Sequence, residues 1–506
     1  MSQHTDQFFE ERLAKARKLA ELGVEPCGAR YEVSGDLAGA RVQAEAAGIA
    51  PGSESAVAVR VAGRIVALRA FGKVTFAVLR DRSGDLQVYL REDRLGPAGY
   101  APVRLLDLGD FVGAAGALGR TKTGEITVFA RELAFLTKAL RPLPEKFHGL
   151  ADTDTRLRQR YLDLVANPEV RDRFVSRSRL VSSLRRRLEA RGFIEVETPM
   201  MQALVGGAAA RPFVTHHHAL DLDLYLRISP ELYLKRLLVG GLDRVFEIGR
   251  NFRNEGLSPR HNPEFTMLEL YQAYGDLGDM MDLTESLVAG LAEELGGKSE
   301  VRFAGRPVKL ARPWPRLDYL TVLREKSGAD PASESSLGEA ARRAGAQTEG
   351  LDRWALLDEV FSARVEPELW DACFVCGAPL ELTPLCKARR DDPSRAERFE
   401  AYAAGMELAN AYTELNDPLE QRRRFQAQAG GASAAGTGGK LDEDFLLALE
   451  HGMPPAGGLG IGIDRLAMVL LGAETIREVV LFPLLRPREA PAGPAGAPPA
   501  GAGAEK

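Results

Sequence analysis

A chain of 506 residues exceeds one ordinary domain, and 45% hydrophobic with 27% charged residues describes a soluble globular protein with material for a buried core. A formal net charge of -5 argues against a surface that binds nucleic acid everywhere, while leaving room for local basic patches. Four cysteines, Cys27, Cys373, Cys376 and Cys386, are too few to staple such a chain, so a disulfide framework is excluded.

The first segment, Met1 to Leu22, is polar, with Phe8, Phe9, Leu13 and Leu19 spaced for an amphipathic helix. It lacks the continuous apolar run of a signal peptide or membrane span, so a cytoplasmic protein with no membrane association is expected. Residues 1–56 read as a helical extension. From Val57 the pattern changes to period two: Val57, Val59 and Val61, then Leu86, Val88 and Leu90, then Ile126 and Val128. Ser83-Gly84 and Thr123-Gly124 supply turns, and Gly109-Asp110 precedes another run. Short strands at this spacing predict a small barrel of OB type over residues 57–145. Arg141-Pro142-Leu143-Pro144 punctuates the chain, and mixed helices and strands follow over residues 146–487, an α+β region. The arginine-rich stretches Arg156, Arg158, Arg160 and Arg177, Arg179, Arg185, Arg186, Arg187 read as solvated helix faces. Gly430 to Gly439 reads as a mobile loop, and the Ala/Pro/Gly tail over residues 488–506 as disordered.

Standard phosphate loops are missing. Gly439-Lys440 is followed by Leu441 and preceded by Ala434, which fails the P-loop pattern, and Gly458-x-Gly460 has Ile463 where a dinucleotide fingerprint needs its third glycine. Three other segments carry chemistry. The first, Arg191 to Pro199, reads as a helix end at Gly192, a short strand and a proline stop. The second runs Phe246-Glu247-Ile248-Gly249-Arg250-Asn251-Phe252-Arg253-Asn254-Glu255, a loop holding Arg260, His261 and Asn262, then Pro263 to Tyr271. The third, Gly457 to Leu466, is a glycine-rich turn entering an apolar helix. Arg253, Arg260, His261 and Arg465 suit a triphosphate. A strand–loop–strand hairpin would hold Arg253 and Phe265 on one sheet, with a flat ring between them. Glu400 and Glu407 have the spacing of hard-cation ligands. Taken singly, an arginine or glutamate is more often a surface ion-pair partner, and Phe265 a core residue. Cys373, Cys376 and Cys386 lack a nearby fourth ligand, so a zinc site is not expected, while His216-His217-His218 looks metallic in pattern.

Taken together, the three segments resemble motifs 1, 2 and 3 of class II aminoacyl-tRNA synthetases, in order. Glu197 to Gln202, Gly206 to Phe213, Pro230 to Lys235, Arg250 to Gly256 and Asn410 to Asp417 are similar to the lysyl-tRNA synthetase family in particular. The likeness runs from the β unit to Pro487. It implies an OB-fold anticodon domain, a catalytic domain on an antiparallel sheet, a homodimer with motif 1 (Arg177–Pro199) at its interface, and ATP, L-lysine and tRNA(Lys) as partners with Mg²⁺ as cofactor.

Residue by residue, the resemblance implies that Arg253 binds the amino-acid carboxylate and the α-phosphate, that Glu255 and Asn262 contact the nucleotide, and that Phe265 and Arg465 sandwich adenine. Arg260 and His261 take the outer phosphates, and Glu400 and Glu407 bind magnesium. For lysine it implies Glu231 on the α-ammonium with the backbone near Gly207, Tyr271 and Glu414 on the ε-ammonium, Glu269 nearby, and Asn410 toward the carboxylate with Tyr412 beside it. Phe76 and Gln87 match positions reading the central anticodon base, although barrel packing alone would also place an aromatic at 76. The resemblance also implies a structural role for His216-His217-His218. Departures are few: Ala378 stands where many relatives have an aromatic bordering the site, and Tyr412 replaces a phenylalanine.

Catalysis is expected from alignment and charge neutralisation by Arg253 and Arg465. A paralogue that delivers lysine to a protein would lack residues 57–138, and a non-catalytic relative would have lost some of Arg253, Glu400, Glu407 and Arg465. Aspartate or asparagine specificity is disfavoured by the acidic Glu231 and Glu414. The reading requires those two carboxylates to face one cavity with Arg253.

Overall fold

The computed structural model describes residues 3–144, 150–208, 210–296, 299–346, 348–429 and 441–488. The expected loop at 430–439 and the tail beyond Arg488 lie outside the described residues. Two compact units divide the chain, one ending at Ala151 and one beginning at Asp152.

The first unit opens with helices α1 (Gln3–Glu21) and α2 (Leu37–Ala46). Asp36 caps α2 by accepting from Gly39 N at 2.9 Å. Of the apolar residues expected to anchor α1, Leu19 is fully buried while Phe8 is exposed. A buried arginine does the rest: Arg12 Nη1 donates to the carbonyls of Leu108, Ala139 and Arg141 at 3.0, 2.9 and 3.1 Å. Five strands follow, β1 (Glu54–Phe71), β2 (Val74–Arg80), β3 (Asp85–Arg91), β4 (Phe111–Arg120) and β5 (Ile126–Thr137), with helix α3 (Glu92–Tyr100) after β3. They close into a barrel in the order β1-β2-β3-β5-β4, with only β3 and β5 parallel. The expected OB barrel is therefore present. Its hairpin turn uses Asp81, whose carboxylate accepts from Ser83 N and Gly84 N at 2.6 and 3.2 Å. Alternation sends Ala77, Leu79, Leu86, Val88 and Leu90 inward. Phe76, Gln87 and Tyr89 consequently share the outer face, so Phe76 is not barrel packing.

In the second unit, α4 (Pro168–Glu189) ends before Gly192, which takes φ +80°, and leads to β6 (Ile194–Glu195). A small sheet forms from β7 (Met201–Gln202), β8 (Phe213–His217) and β9 (Leu222–Leu226), followed by α5 (Glu231–Val239). The main sheet takes β10 (Arg244–Phe252) and β11 (Glu264–Ala273); helix α6 (Leu277–Gly296) and the hairpin β12 (Glu300–Phe303) and β13 (Arg306–Lys309) come next. It continues with β14 (Arg316–Asp318), β15 (Cys373–Cys376), β16 (Arg398–Ala403), β17 (Met406–Thr413) and β18 (Ala456–Gly462), before α7 (Ile463–Leu471). The order is β14-β15-β16-β17-β18-β11-β10-β6. Only the outermost pairs, β14 with β15 and β6 with β10, are parallel; the expected antiparallel platform is the middle of the sheet. Its core packs α4, α6 and α7 beneath the strands through Leu184, Leu287, Leu466 and Phe246, all fully buried.

Several arginines expected on solvated faces turn inward instead, one fully buried and others half-buried, because carbonyls and carboxylates bond them. Arg160 is 2% exposed, holds Asp163 at 2.5 Å and donates to Leu481 O at 3.0 Å. Arg177 reaches Asp464 at 2.6 Å, and Arg187 reaches Gly290 O at 2.9 Å. Cys373 and Cys376 lie three apart on β15 and so point to opposite faces. Burial raises their thiols to about 12 and about 11. Among the described residues no three His, Cys, Asp or Glu gather as a metal cluster, and no helix is long and apolar enough to cross a membrane.

Candidate active site

Register decides which side chains meet, because residues paired directly across strands project to the same face. One row across the main sheet runs Glu269, Gly460, Asn410, Glu400. The next, two residues along, runs Tyr271, Gly458, Tyr412, Arg398. Phe265 and Met267 continue that face along β11, and Glu414 continues it past the end of β17. The middle strand is bare of side chains for a steric reason. A Cβ on Gly458 would stand 1.8 Å from Glu414 Oε1 and 2.7 Å from Tyr271 Cε1, and one on Gly460 would stand 2.7 Å from Met267 Cε. The glycine-rich third segment is thus the floor of a cleft.

At one end of the cleft three carboxylates are buried. Glu231 begins α5, and its Oε1 accepts from Tyr412 Oη at 2.7 Å and from Lys235 Nζ, one turn on, at 2.6 Å. Lys235 Nζ also lies 2.5 Å from Glu414 Oε2. The contact is a close ion pair, and the other oxygen, Oε1, lacks a hydrogen-bond donor. Glu269 accepts from Ser229 Oγ at 2.9 Å and from Tyr271 Oη at 3.4 Å. Gly207 passes close by with φ +83°, its Cβ position only 3.0 Å from Ser229 Oγ and 3.1 Å from Glu231 Cβ. That close approach brings backbone to the pocket wall. Burial, then the charge of Glu231, pushes Glu269 up to about 8. Burial also pushes Glu414 up to about 8 although Lys235 opposes the shift. For Lys235 burial works against the charge, but the carboxylates of Glu231 and Glu414 outweigh it and raise the ammonium above its ordinary value.

The other end is cationic. Arg253 follows β10, its backbone N–H donating to Pro263 O at 2.9 Å across the motif 2 hairpin, and its Nε is buried with no hydrogen-bond partner. The guanidinium lies 5.2 Å from the Phe265 centroid. A ring between them would need two van der Waals contacts, about 7 Å in all, so the expectation of a flat ring between Arg253 and Phe265 is corrected: they stack on each other. Arg465, in the first turn of α7, donates from Nη1 to Glu407 O and Oε2 at 3.1 and 3.2 Å. Its Nη2 lies 2.7 Å from His261 Nε2. An arginine can only donate, so Nε2 accepts, and Nδ1–H is left to donate to Ser258 Oγ at 2.8 Å. Burial and then Arg465, Arg253 and Arg260 hold His261 down at about 4. Arg260 donates to Gly405 O at 2.8 Å and pairs with Glu366 at 3.3 Å.

Glu400 is held by Arg398 and accepts from Tyr402 Oη at 2.6 Å. Burial, then Glu400, raises Glu407. Asn410 accepts from Arg398 Nε at 3.0 Å through Oδ1. Asn262 is buried and donates to Glu264 O at 2.6 Å, so its amide braces the hairpin; Glu255 is exposed on the loop. Ala378 is not part of a strand bordering the cleft. It packs in a separate cluster with Tyr319, Phe361 and Tyr402. On the barrel, Phe76 stacks on Tyr89 at 4.6 Å, and Gln87 donates to Thr127 Oγ1 at 2.9 Å. Sequence reading missed Lys235, Glu366, Arg398 and Tyr89. The i,i+4 spacing of Glu231 and Lys235, and the i,i+2 spacing of Arg398 and Glu400, were the available signals.

Residues 152–486 match the class II tRNA synthetases (D, K and N), and residues 59–136 match an OB-fold nucleic acid binding domain. A lysine–tRNA ligase of Moorella thermoacetica is 52% identical over 484 residues, covering 94% of this chain and 97% of that protein. Those of Anaeromyxobacter dehalogenans and Enterococcus faecalis are 50% and 45% identical, each across 96% of this chain and 98% and 99% of their own lengths. This chain belongs to the class II tRNA synthetases of the D, K and N group, in the lysine–tRNA ligase family.

Proposed function

We propose that this chain activates L-lysine with ATP and transfers it to the 3′ end of tRNA(Lys), with residues 146–487 as the catalytic domain and 57–145 as the anticodon-binding barrel. The observation that carries the reading is the polarity of one cleft: buried carboxylates at Glu231, Glu269 and Glu414, and at the far end a buried Arg253 Nε without a partner. A diammonium amino acid fits the first and a carboxylate beside a triphosphate fits the second. Glu231 takes the α-ammonium, with the backbone at Gly207. Glu414 and Tyr271 take the ε-ammonium, while Glu269, Asn410 and Tyr412 line the walls.

The lysine carboxylate attacks the α-phosphorus in line and pyrophosphate leaves. A terminal ribose hydroxyl of the tRNA then attacks the adenylate carbonyl, and AMP leaves. Neither step needs a protein nucleophile. Arg253 holds the lysine carboxylate against the α-phosphate, and Arg465 stacks with Phe265 about the adenine. Arg260 and His261 hold the outer phosphates, and Glu255 and Asn262 border the nucleotide. Glu400 and Glu407 are a like-charged pair, Glu407 raised by burial and then by the charge of Glu400, a donor set that fits Mg²⁺; the ion would neutralise phosphate charge there. Phe76 and Gln87 read the anticodon, a role supported by their shared outer face. The exposed Ile194, Met201, Val214 and Leu222 support a homodimer in which a second copy covers them. The compartment proposed is the cytoplasm.

The test is ATP–pyrophosphate exchange against a panel of amino acids, followed by charging of tRNA(Lys). Exchange driven by lysine alone is expected. Exchange driven by aspartate or asparagine, or none with lysine, overturns the reading.

A further inference from the structure

Lys235 has no place in the scheme above, and it is among the most enclosed charges in the protein. Its side chain is 0% exposed, as is that of Glu414, and that of Glu231 is 6% exposed. Its ammonium touches both of the carboxylates assigned to the two ammonium groups of the substrate, at 2.6 Å (Glu231) and 2.5 Å (Glu414). Two aromatic rings flank it, Tyr412 at 5.5 Å and Tyr271 at 5.9 Å. Glu231 and Glu414 come from different elements, the start of α5 and the end of β17, so their approach has to be held against like-charge repulsion in a dry site.

We infer that Lys235 is a positioning and specificity-determining residue, a fixed internal counter-ion that holds Glu231 and Glu414 side by side, aimed at the two ends of the lysine substrate, and offsets their mutual repulsion once the substrate is bound. This rests on the pocket assigned in the proposed function. The charge count supports it. In the lysine-bound pocket Glu231, Glu269 and Glu414 against Lys235 leave two negative charges, which the two ammonium groups of one lysine molecule neutralise, its carboxylate being taken by Arg253. Without Lys235 the same three carboxylates would exceed the substrate's cations, and a proton would be retained between Glu231 and Glu414 even with lysine bound. The pocket would then present a neutral acid where it must grip an ammonium. A neutral acid no longer penalises an uncharged side chain by leaving a desolvated charge unpaired, so discrimination falls together with affinity. Glu414 can take a further cation: its Oε1, packed against the bare backbone of Gly458, has no hydrogen-bond donor.

The experiment measures lysine-dependent ATP–pyrophosphate exchange in Lys235→Met, Glu414→Gln and the double variant, with KM for lysine and for ATP determined separately and norleucine as competitor. Lys235→Met is expected to raise the KM for lysine about thirtyfold or more, the range for truncating one member of a buried charge pair, to leave the KM for ATP unchanged, and to narrow the preference for lysine over norleucine. The double variant carries no unpaired charge between positions 235 and 414, so it remains informative even if Lys235→Met does not fold. Its KM for lysine should lie above that of Glu414→Gln alone but well below the product of the two single losses, because Lys235 acts through Glu414 as well as through Glu231. If Glu414→Gln weakens lysine while Lys235→Met does not, or tightens it, the role of Lys235 is overturned and the pocket stands. If the two losses multiply in the double variant, Lys235 does not act through Glu414 and the inference is likewise overturned. If Glu414→Gln has no effect on lysine, the pocket assignment itself falls, and the inference with it.

Discussion

The two ends of the cleft solve opposite electrostatic problems on the same sheet. At the lysine end the charges are acidic and buried, and a lysine of the protein itself sits among them. At the nucleotide end they are basic and half-exposed, with Arg260 and Arg465 paired to Glu366 and Glu407 and with Arg253 Nε unpaired. Burial is the difference that matters. A buried carboxylate without a counter-ion takes up a proton, whereas a guanidinium stays charged and waits for its ligand. The lysine end must therefore be pre-neutralised by the fold, and the nucleotide end can leave neutralisation to substrate.

Removing the unpaired arginine should have the largest effect. Arg253→Ala is expected to cut lysine-dependent pyrophosphate exchange about 10³-fold, the upper range for a preorganised donor at developing charge, while the thermal melting curve stays close to that of the parent. Exchange near the parent rate would place the carboxylate–phosphate clamp elsewhere. Next comes the floor between the two ends. Gly458→Ala drives a methyl to within 1.8 Å of Glu414 Oε1, so that carboxylate must move. A displacement of this order costs about 10²-fold in well-aligned sites. The loss should fall on the KM for lysine, leaving the KM for ATP close to the parent value. Equal losses in both would mean that the floor is shared and that the two ends are not independent.

Much of this contrast could be read before any coordinates. Period-two spacing already puts Glu269 with Tyr271, Asn410 with Tyr412 and Glu414, and Gly458 with Gly460, on common faces, and the resemblance supplied their partners. The inward hydrogen bonds of the helix arginines could not be read that way. Arg160 and Arg177 have the spacing of exposed helix faces, and only the tertiary placement of Asp464 and of the Leu481 carbonyl turns them inward. Lys235 was hidden by its own regularity: a Glu–Lys pair four apart on a helix is usually a surface ornament, and what changes its meaning is Glu414, far along the chain. Glu366 reaches Arg260 across 106 residues, a pairing no local pattern announces.

A smaller effect separates the cleft from the barrel. Phe76→Ala removes the ring stacked on Tyr89 at 4.6 Å. It should reduce tRNA(Lys) charging about tenfold, within the range for one stacked base, without touching pyrophosphate exchange. Loss of exchange would show that the aromatic supports the fold and does not read a base.

The most discriminating prediction is that the two ends respond to pH in opposite senses. Glu269 and Glu414 stand at about 8 in the empty protein, so below that pH they carry protons that an arriving ammonium must displace. Lysine binding then releases protons, and the KM for lysine falls as pH rises toward about 8. His261 stands at about 4 because burial and three guanidiniums oppose its charge. A triphosphate cancels those guanidiniums and raises it, so ATP binding takes up a proton and is favoured as pH falls. ATP titrates too, so the comparison is between the parent and His261→Asn. The ratio of their ATP KM values, variant over parent, should grow by up to about tenfold per pH unit as pH falls below the ordinary imidazole value of 6.5 toward about 4. A flat ratio would remove His261 from the phosphates. A KM for lysine that fails to fall as pH rises toward about 8 would mean the buried carboxylates are already ionised, leaving the two ends alike in how they meet their substrates.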